Sequence, residues 1–389
     1  VTGIGATTPL GGAAASTWEG LLAGRSGISL VEEDWAAELP VRIAGRIAVE
    51  PTETIPRPQA RKLDRSAQFA LVAADEAWKD AGFTAKAGED TAVDPDRLGA
   101  VIASGIGGVT TLLDQYDVLK EKGVRRVSPH TVPMLMPNSP AANVGITLNA
   151  RAGVHTPVSA CASGAEAIGY AIEMIRTGRA DVVVAGGTEA AIHPLPIAAF
   201  GNMMAMSKNN DDPQGASRPY DRDRDGFVMG EGGAILILED GEKARARGAT
   251  ILGRIAGYGA SSDAHHLTAP HPEGEGMAMA MNRALSSAGL SPSDVDHVNA
   301  PSSYDQHDAS ALAFINVTRG TQLFGTVMFT RNDTGLSSTT YWQSGGGVQL
   351  QVPRHDLWFR AEGTIARNID NENGPRCAAN TATRPSPSP

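Results

Sequence analysis

The sequence predicts an α/β fold built around a largely buried sheet, and three observations lead to that prediction. Apolar runs of strand length, such as Leu98–Ala103 and Ala234–Leu238, show no polar face, as in strands that are covered on both sides. Helical stripes of apolar residues lie between these runs, and glycines follow several of them. Strands and helices therefore alternate, which favours a layered α/β architecture.

The predicted elements follow in order from the first residue. Val1–Gly5 is predicted to form a strand, and Ser16 is predicted to cap a short helix that ends near Gly24. Apolar residues recur at helical spacing over Ser66–Ala81, so a second helix is predicted there, ended by Gly82. The opening of the chain thus supplies one strand and two helices before the first buried strand.

Two further buried strands are predicted at Val154–Ala160 and Val182–Ala185. The first of these leads directly into Cys161, and a helix is predicted to start immediately after the cysteine. The apolar stripe of that helix consists of Ala165, Ile168, Ile172 and Ile175. A strand, a cysteine and a helix are therefore expected to meet at one sharp turn.

One helix–glycine–strand unit occurs twice in the chain. Ala81-Gly82-Phe83 ends the early helix and leads, after a loop, to the strand at Leu98. Ala288-Gly289-Leu290 ends a later helix and leads to His297-Val298. A duplicated domain explains this repeat, and it predicts a second strand-to-loop site just after Ala300.

The composition changes near residue 301. Aromatic residues become more frequent, and strand-like segments alternate with turn residues, as at Leu323–Thr330 and Gly347–Val352. The chain ends in Arg384–Pro389, a Pro/Ser-rich stretch that is predicted to be disordered. We therefore interpret residues 301–389 as an atypical β-rich segment with a disordered end.

Charge and cysteine content argue against several classes of function. The chain has 389 residues and a net charge of −10, which argues against general nucleic-acid binding. It has no apolar run long enough to cross a membrane as a helix, so no membrane insertion is expected. The two cysteines, Cys161 and Cys377, lack the spacing of a zinc site or a disulfide framework. We expect no metal, no cofactor and a reducing, cytoplasmic location.

Cys161 is the candidate nucleophile. The positive end of the helix dipole favours the thiolate, which is the reactive form of this side chain. Its small neighbours leave room for an acyl chain and let backbone N–H groups face a developing oxyanion. The alternative is a buried structural thiol, which is the commoner fate of a lone cysteine.

Six segments of the chain resemble motifs of the β-ketoacyl-acyl-carrier-protein synthase II family, the condensing enzymes of the thiolase fold. They also occur in that family's order and spacing. They are Val1-Thr2-Gly3-Ile4-Gly5, Ser159-Ala160-Cys161-Ala162-Ser163-Gly164, Gly186-Gly187-Thr188-Glu189, Ser217-Arg218-Pro219-Tyr220-Asp221, Asp225–Gly232 and Asp296-His297-Val298-Asn299-Ala300. The resemblance implies a duplicated α/β layered sandwich. Residues 1–240 then form the half that carries the nucleophile, residues 241–300 start the second half, and residues 301–389 replace or truncate the rest.

The resemblance also implies a reaction. In that family the cysteine takes an acyl group from acyl carrier protein as a thioester. Malonyl carrier protein then loses CO2, and the resulting carbanion attacks the thioester and lengthens the chain. Cys161 would hold the acyl group in fatty-acid or polyketide elongation, the partners would be acyl- and malonyl-loaded carrier proteins, and the enzyme would be a homodimer.

The chain departs from the family pattern after Ala300. Pro301 stands where the family has its first catalytic His, and the sequence lacks the family's Lys, its second His motif and its late Phe-Gly-Phe-Gly-Gly loop. His307 and His355 remain, without family context. A condensing enzyme that is impaired in condensation is one hypothesis, and a non-catalytic partner or scaffold subunit of a synthase heterodimer is the other. The retained Cys161 favours the enzyme.

Further site residues are assigned through the resemblance. Ile106, in the Ser104–Gly108 loop, and Phe200 resemble positions that line the acyl pocket, with ordinary core packing as the alternative. Thr268 resembles a contact to the phosphopantetheine arm.

Two basic clusters are candidate docking sites for the acidic carrier protein. The first consists of Arg61, Lys62 and Arg65, and the second of Lys120, Lys122, Arg125 and Arg126. A solvated charged face is the alternative interpretation of each cluster.

Overall fold

The computed structural model describes residues 1–89, 93–266 and 271–299, together with the backbone of strands at 309–316, 321–329, 342–343, 348–351, 358–361 and 366–367. The chain divides into two compact units, residues 1–332 and residues 333–389. Among the described helices, none is both long and apolar enough to span a membrane.

The described α-helices are α1 (Ala14–Leu22), α2 (Arg57–Ala60), α3 (Arg65–Asp80), α4 (Val109–Lys122), α5 (Thr131–Leu135), α6 (Ser139–Leu148), α7 (Ser163–Arg176), α8 (Pro194–Asn202), α9 (Gly241–Ala246) and α10 (Glu275–Ala288). The strands up to residue 299 are β1 (Gly3–Thr7), β2 (Ser29–Leu30), β3 (Ile43–Ala44), β4 (Leu98–Ala103), β5 (Gly153–His155), β6 (Val182–Glu189), β7 (Gly232–Glu239), β8 (Arg254–Gly259) and β9 (His297–Asn299). The later strands are β10 (Ala309–Asn316), β11 (Thr321–Phe329), β12 (Trp342–Gln343), β13 (Val348–Gln351), β14 (Trp358–Ala361) and β15 (Ala366–Arg367).

A five-stranded mixed sheet, in the order β1-β7-β6-β4-β5, forms the centre of the first half. Strand β4 is parallel to β5 and β6, whereas β7 is antiparallel to both β6 and β1. Alternate residues of β4 pack to opposite sides. Ile102 belongs to a buried cluster with α3 and α6, and Val101 belongs to a cluster with α7. Helices therefore cover the sheet on both faces, which explains why its central strands are apolar throughout.

Helix α3 lies unusually close to β1 because β1 carries glycine where the helix crosses it. A Cβ at Gly5 would lie 2.0 Å from the carbonyl oxygen of Ala73, and one at Gly3 would lie 2.1 Å from that of Ala77. No side chain fits at these distances. The Gly-x-Gly pattern of β1 is thus explained by helix packing.

The same contact recurs between β8 and α10. A Cβ at Gly259 would lie 2.1 Å from the carbonyl oxygen of Ala280, and one at Gly257 would lie 2.4 Å from that of Ala284. Helix α10 then ends at Gly289, whose φ of 69° corresponds to that of Gly82, at 84°, after α3. The repeat in the sequence is therefore a repeat of three-dimensional packing.

The second sheet of the larger unit has the order β8-β11-β10-β9. In the first sheet β7 and β6 separate β1 from β4, and here β11 and β10 separate the corresponding β8 from β9. The directions of the inner strands differ, since β7 is antiparallel to β1 whereas β11 is parallel to β8. The β10–β11 hairpin thus fills the inner positions with a different chain path. In the smaller unit, β12 pairs with β15 and β13 with β14, both antiparallel.

Most predicted elements are present within one or two residues of their predicted ends; β1, for example, spans Gly3–Thr7 where Val1–Gly5 was expected. Two predictions need a larger correction. Ser16 does not cap the first helix, because α1 starts at Ala14 and Ser16 lies in its first turn. The hydroxyl of Ser16 accepts a hydrogen bond from the N–H of Ala13 at 3.2 Å. The strand predicted over Val154–Ala160 is wrong after His155, where β5 ends.

The reason for the early end of β5 lies in the two residues that follow it. The side-chain hydroxyl of Thr156 donates to the carbonyl oxygen of Ile102 at 3.0 Å, in place of a backbone ladder bond. Pro157 has no N–H to continue the ladder. The chain therefore leaves the sheet before it reaches Cys161.

Candidate functional site around Cys161

Cys161 lies in a single 3-10 turn, Ala160–Ala162, which leads directly into α7. The side chain of Cys161 is exposed. Because the first N–H groups of a helix have no partner within the helix, the start of α7 presents donors and positive potential at this turn. The position suits a thiolate and the oxyanion that forms when a thiolate attacks a thioester.

The turn is held in shape by Ser163. Its hydroxyl accepts from the N–H of Ser159 at 2.9 Å and donates to the carbonyl oxygen of Ala160 at 2.6 Å. Ala160 has a φ of 51°, in the left-handed region that residues with a side chain rarely adopt. Such local strain is typical of turns that present a reactive side chain.

The first turn of α7 rests directly on β6. A Cβ at Gly187 would lie 3.1 Å from the Cα of Gly164, so the two backbones are in contact without side chains between them. Strand β6 is in turn paired with β7 along its whole length and with β4 from Val182 to Gly187. The Cys161 turn is therefore supported by the centre of the sheet.

A second loop approaches the same turn from the end of β4. A Cβ at Gly105 would lie 3.2 Å from the carbonyl oxygen of Ala160. The next residue, Ile106, is a large apolar side chain that is 43% exposed. The structure thus brings the loop that carries Ile106 against the turn that carries Cys161.

Glu189, the last residue of β6, holds this loop. Its carboxylate accepts from the N–H of Gly105 at 2.8 Å, from the N–H of Ile106 at 3.1 Å and from the hydroxyl of Ser104 at 3.1 Å. Burial raises the pKa of Glu189, and the hydrogen bonds that the carboxylate accepts act in the opposite direction. Glu189 ends the family segment Gly186-Gly187-Thr188-Glu189, and a carboxylate that closes an otherwise apolar strand is the sequence signal for its role.

Phe200 lies in α8, within a separate apolar cluster. Its ring packs edge-on against Phe227 at 5.4 Å between centroids. Val109, the first residue of α4, packs against the same cluster, and α4 follows the Ile106 loop. Phe200 and Val109 therefore pack against one apolar cluster, and Val109 follows the loop that carries Ile106. Thr268 lies outside the described residues, as do Pro301, His307, His355 and Cys377.

The two basic clusters differ in how many of their side chains are exposed and so able to contact a partner. Arg61 and Lys62 are exposed, and so are Arg125 and Arg126, which follow α4. Arg65 is instead engaged in ion pairs, at 2.8 Å to Glu231 and 2.8 Å to Glu50.

The engagement of Arg65 affects its ionisation. Burial disfavours the charged guanidinium, but the hydrogen bonds and charges of Glu50 and Glu231 outweigh this effect and raise the pKa of Arg65. Arg65 thus ties the start of α3 to Glu50 and Glu231, and the docking candidates that remain in this cluster are Arg61 and Lys62. In the described part of the chain, no group of three or more His, Cys, Asp or Glu side chains could hold a metal ion.

A duplicated, thiolase-like α/β sandwich with a cysteine at the start of a central helix defines the class of the molecule. Two family models match it. The model described as the N-terminal domain of β-ketoacyl synthase matches residues 1–244, and that of the C-terminal domain matches residues 252–311. The chain belongs to the β-ketoacyl synthase family.

Individual relatives agree with this assignment. The chain is 46% identical over 303 residues to 3-oxoacyl-[acyl-carrier-protein] synthase 2 of Mycobacterium bovis, with 77% of this chain and 71% of the relative covered. A β-ketoacyl synthase crystal structure from Burkholderia phymatum superimposes with a TM-score of 0.70 at 36% identity, covering 78% of this chain and 74% of that one. A type II polyketide ketosynthase, solved in complex with its acyl-carrier protein and bound to a hexaketide, superimposes with a TM-score of 0.66 at 32% identity, with coverages of 76% and 71%.

Proposed function

We propose that the chain is an acyltransferase of the 3-oxoacyl-[acyl-carrier-protein] synthase type, with Cys161 as the residue that carries the acyl group. The observation that carries the proposal is the exposed position of Cys161 at the first turn of α7, within the matched family region. The thiolate of Cys161 attacks the carbonyl carbon of an acyl thioester on acyl carrier protein. The carrier's sulfur leaves as a thiolate and takes up a proton from solvent, and the acyl group remains on Cys161 as a thioester.

The second step of the proposed reaction is decarboxylative condensation. Malonyl carrier protein loses CO2, the resulting carbanion attacks the Cys161 thioester, and the β-ketoacyl product leaves on the carrier while the thiolate is regenerated. This step needs placed donors for the charge that develops on the malonyl thioester oxygen. Pro301 has neither a side-chain donor nor an N–H at the position of the family's first catalytic His. We therefore propose that acylation is retained and condensation is strongly slowed.

Mass spectrometry separates these two steps. Incubation with acyl carrier protein loaded with a fatty acyl group is expected to add one acyl mass to the Cys161 peptide, and Cys161→Ala is expected to abolish it. Cys377→Ser is the matched control, which should acylate like the unaltered chain. Acylation that persists in Cys161→Ala would overturn the assignment.

Addition of malonyl carrier protein to the acylated protein then tests condensation. Formation of β-ketoacyl product at the rate of an intact family member would contradict the proposed impairment and direct attention to His307 and His355. A chain that is not acylated at all would favour the alternative, a non-catalytic partner subunit in a synthase heterodimer.

The partner in the acyl-transfer step is proposed to be acyl carrier protein. One similar ketosynthase was solved with its acyl-carrier protein, and the exposed cations of this chain suit an acidic partner. Arg61, Lys62, Arg125 and Arg126 are proposed as docking residues, with Ile106, Phe200 and Thr268 as substrate contacts.

We also propose a homodimer. Strand β5 lies at the edge of the five-stranded sheet, and Val154 in it is 39% exposed, while Val158 beyond it is 55% exposed. An edge strand with exposed apolar side chains is a template for pairing with another chain. Val154→Lys is expected to shift the protein from dimer to monomer in sedimentation velocity, and the exposed Lys86→Glu serves as control. A monomeric unaltered chain would overturn the proposal.

The domain division is likewise proposed, with boundaries at residues 240 and 300. The matched family models support the first boundary, since one ends at residue 244 and the next begins at residue 252.

A further inference from the structure

The end of strand β6 supports two parts of the site at once. Gly187 carries the first turn of α7, where a Cβ would lie 3.1 Å from the Cα of Gly164. Two residues later, Glu189 accepts hydrogen bonds from the loop that follows β4. Residues 187–189 of β6 thus contact both the Cys161 turn and the loop that carries Ile106.

The carboxylate of Glu189 uses both oxygens to hold the loop. Oε2 accepts from the N–H groups of Gly105 and Ile106, and Oε1 accepts from the hydroxyl of Ser104. The same hydroxyl accepts from the N–H of Gly107 at 2.8 Å. Four consecutive residues are therefore tied to one side chain, either directly or through Ser104.

This network holds the backbone of Ile106 next to the turn that carries Cys161. The backbone N–H of Ile106 is itself bonded to Glu189, and Gly105 lies against Ala160, the residue before the cysteine. Gly105 and Gly107 have no side chains. Gly107 rests on Pro137, whereas the described hydrogen bonds of the Gly105 and Ile106 N–H groups go to the Glu189 carboxylate. Loss of the carboxylate is therefore expected to loosen residues 104–106, including the side chain of Ile106.

We propose that Glu189 is a positioning residue that fixes Ile106 beside Cys161 and thereby sets which lengths of acyl chain the cysteine accepts. The inference rests on the proposed function, since it concerns the same thiol. A fixed apolar side chain limits the space beside the sulfur, whereas a mobile one admits chains of different length with less discrimination. Glu189 acts through Ile106 and does not touch the acyl group.

The test measures chain-length selectivity at Cys161 without requiring enzymatic turnover. In a Cys377→Ser background, the full chain is alkylated with N-ethylmaleimide and with N-dodecylmaleimide, and the ratio of the two rates is compared among variants. Glu189→Ala is expected to raise the rate with N-dodecylmaleimide relative to N-ethylmaleimide severalfold, because a mobile Ile106 no longer limits the space beside the sulfur. Glu189→Gln is expected to keep the ratio, because its side-chain oxygen can still accept from both backbone N–H groups.

Two controls separate positioning from general damage. Glu173→Ala removes an exposed carboxylate from α7 outside the network and should leave the ratio unchanged. Ser104→Ala removes one link and should change the ratio in the same direction as Glu189→Ala, by a smaller factor. Thermal denaturation of each variant confirms that the compared proteins are folded.

The outcomes distinguish this inference from the proposed function. An unchanged alkylation ratio in folded Glu189→Ala would overturn the inference, as would equal changes in Glu189→Ala and Glu189→Gln. Absence of acyl transfer from carrier protein to Cys161 in the unaltered chain would overturn the proposed function, while the alkylation ratio would still decide the role of Glu189. The same ratio measured with octanoyl and palmitoyl carrier proteins is expected to change in parallel.

Discussion

Gly164 and Gly187 bring the first turn of the Cys161 helix into backbone contact with the central strand β6. A Cβ at Gly187 would lie 3.1 Å from the Cα of Gly164, and one at Gly164 would lie 3.7 Å from the Cα of Gly187. The candidate nucleophile can therefore lie this close to β6 only because both contacting residues are glycines.

Substitution of Gly187 by alanine should move that helix. The added methyl group requires a shift of a few tenths of an ångström, and overpacking of this kind destabilises by about 1–3 kcal/mol. We expect Gly187→Ala to lower the free energy of unfolding and to slow alkylation of Cys161. Urea denaturation and iodoacetamide labelling measure the two effects.

Gly241→Ala is the control for this substitution, because the nearest atoms to its Cβ are the flexible guanidinium end of Arg245, at 3.7 Å. Equal labelling rates in Gly187→Ala and the unaltered chain would show that the contact does not set the position of Cys161.

Gly169 and Tyr258 join α7 to the second half. A Cβ at Gly169 would lie 2.4 Å from the ring of Tyr258, and burial raises the pKa of Tyr258 to about 12. We expect Gly169→Ala to destabilise by about 1–3 kcal/mol and the additional change Tyr258→Ala to cost less in that background than alone. A double-mutant cycle by urea denaturation measures the coupling.

Gly201→Ala, in α8, is the matched helical control, since its nearest neighbour is Val41 at 3.8 Å. Strict additivity of Gly169→Ala and Tyr258→Ala would argue against direct contact between the two positions.

Arg125 and Arg126 should steer the carrier protein. Reversal of both to Glu is expected to slow acylation by roughly tenfold at low ionic strength and to flatten its dependence on salt, because steering acts through the screened field. Stopped-flow acylation over a series of salt concentrations measures this. Lys79→Glu, at an exposed position on α3, is the control, and an unchanged rate in the double reversal at low salt would remove this cluster from the docking surface.

Asp181 should make the stability depend on pH. It accepts hydrogen bonds from Arg97, at 2.6 Å, and from Lys243, and these hold the pKa of Asp181 below its usual value. The folded state then binds fewer protons than the unfolded state. The stabilisation is present above the unfolded pKa of about 4 and is lost as the pH falls through the folded pKa.

We therefore expect Asp181→Asn to lower the free energy of unfolding at neutral pH and to reduce its decline below a pH of about 5. Urea denaturation at a series of pH values measures this, with Glu19→Gln, at an exposed position on α1, as control. If the free energy of unfolding of Asp181→Asn declines with falling pH as steeply as that of the unaltered chain, other carboxylates cause the acid sensitivity.

Local patterns predicted the secondary structure where the signal was itself local. The prediction for strand β4 matches its full length, because its six residues are apolar. Helix α3 starts one residue earlier than predicted, at Arg65, because Asp64 caps it. The end of β5 was missed, since the apolar Val154 and Val158 do not show that Thr156 bonds to Ile102 across the sheet.

The candidate site was recognised only in part. A cysteine between small residues and a helical stripe was enough to single out Cys161. The sequence placed Ile106 and Phe200 through family resemblance alone, and it gave Glu189 no separate role. The role of a carboxylate at a strand end can be inferred only when the N–H groups that it accepts from are known. For Glu189 these N–H groups lie in a loop that is far away in the sequence.

By itself, the sequence determined the alternation of strands and helices, the glycine that ends α3 and the helix start beside Cys161. These features depend on residues that are close together along the chain, whose spacing and backbone preferences act locally. Only the tertiary structure decided that Gly5 meets Ala73, that Gly164 meets Gly187 and that Glu189 holds Gly105. Those contacts depend on distances between separate segments, which are set by the packing of two layers of helices on one sheet.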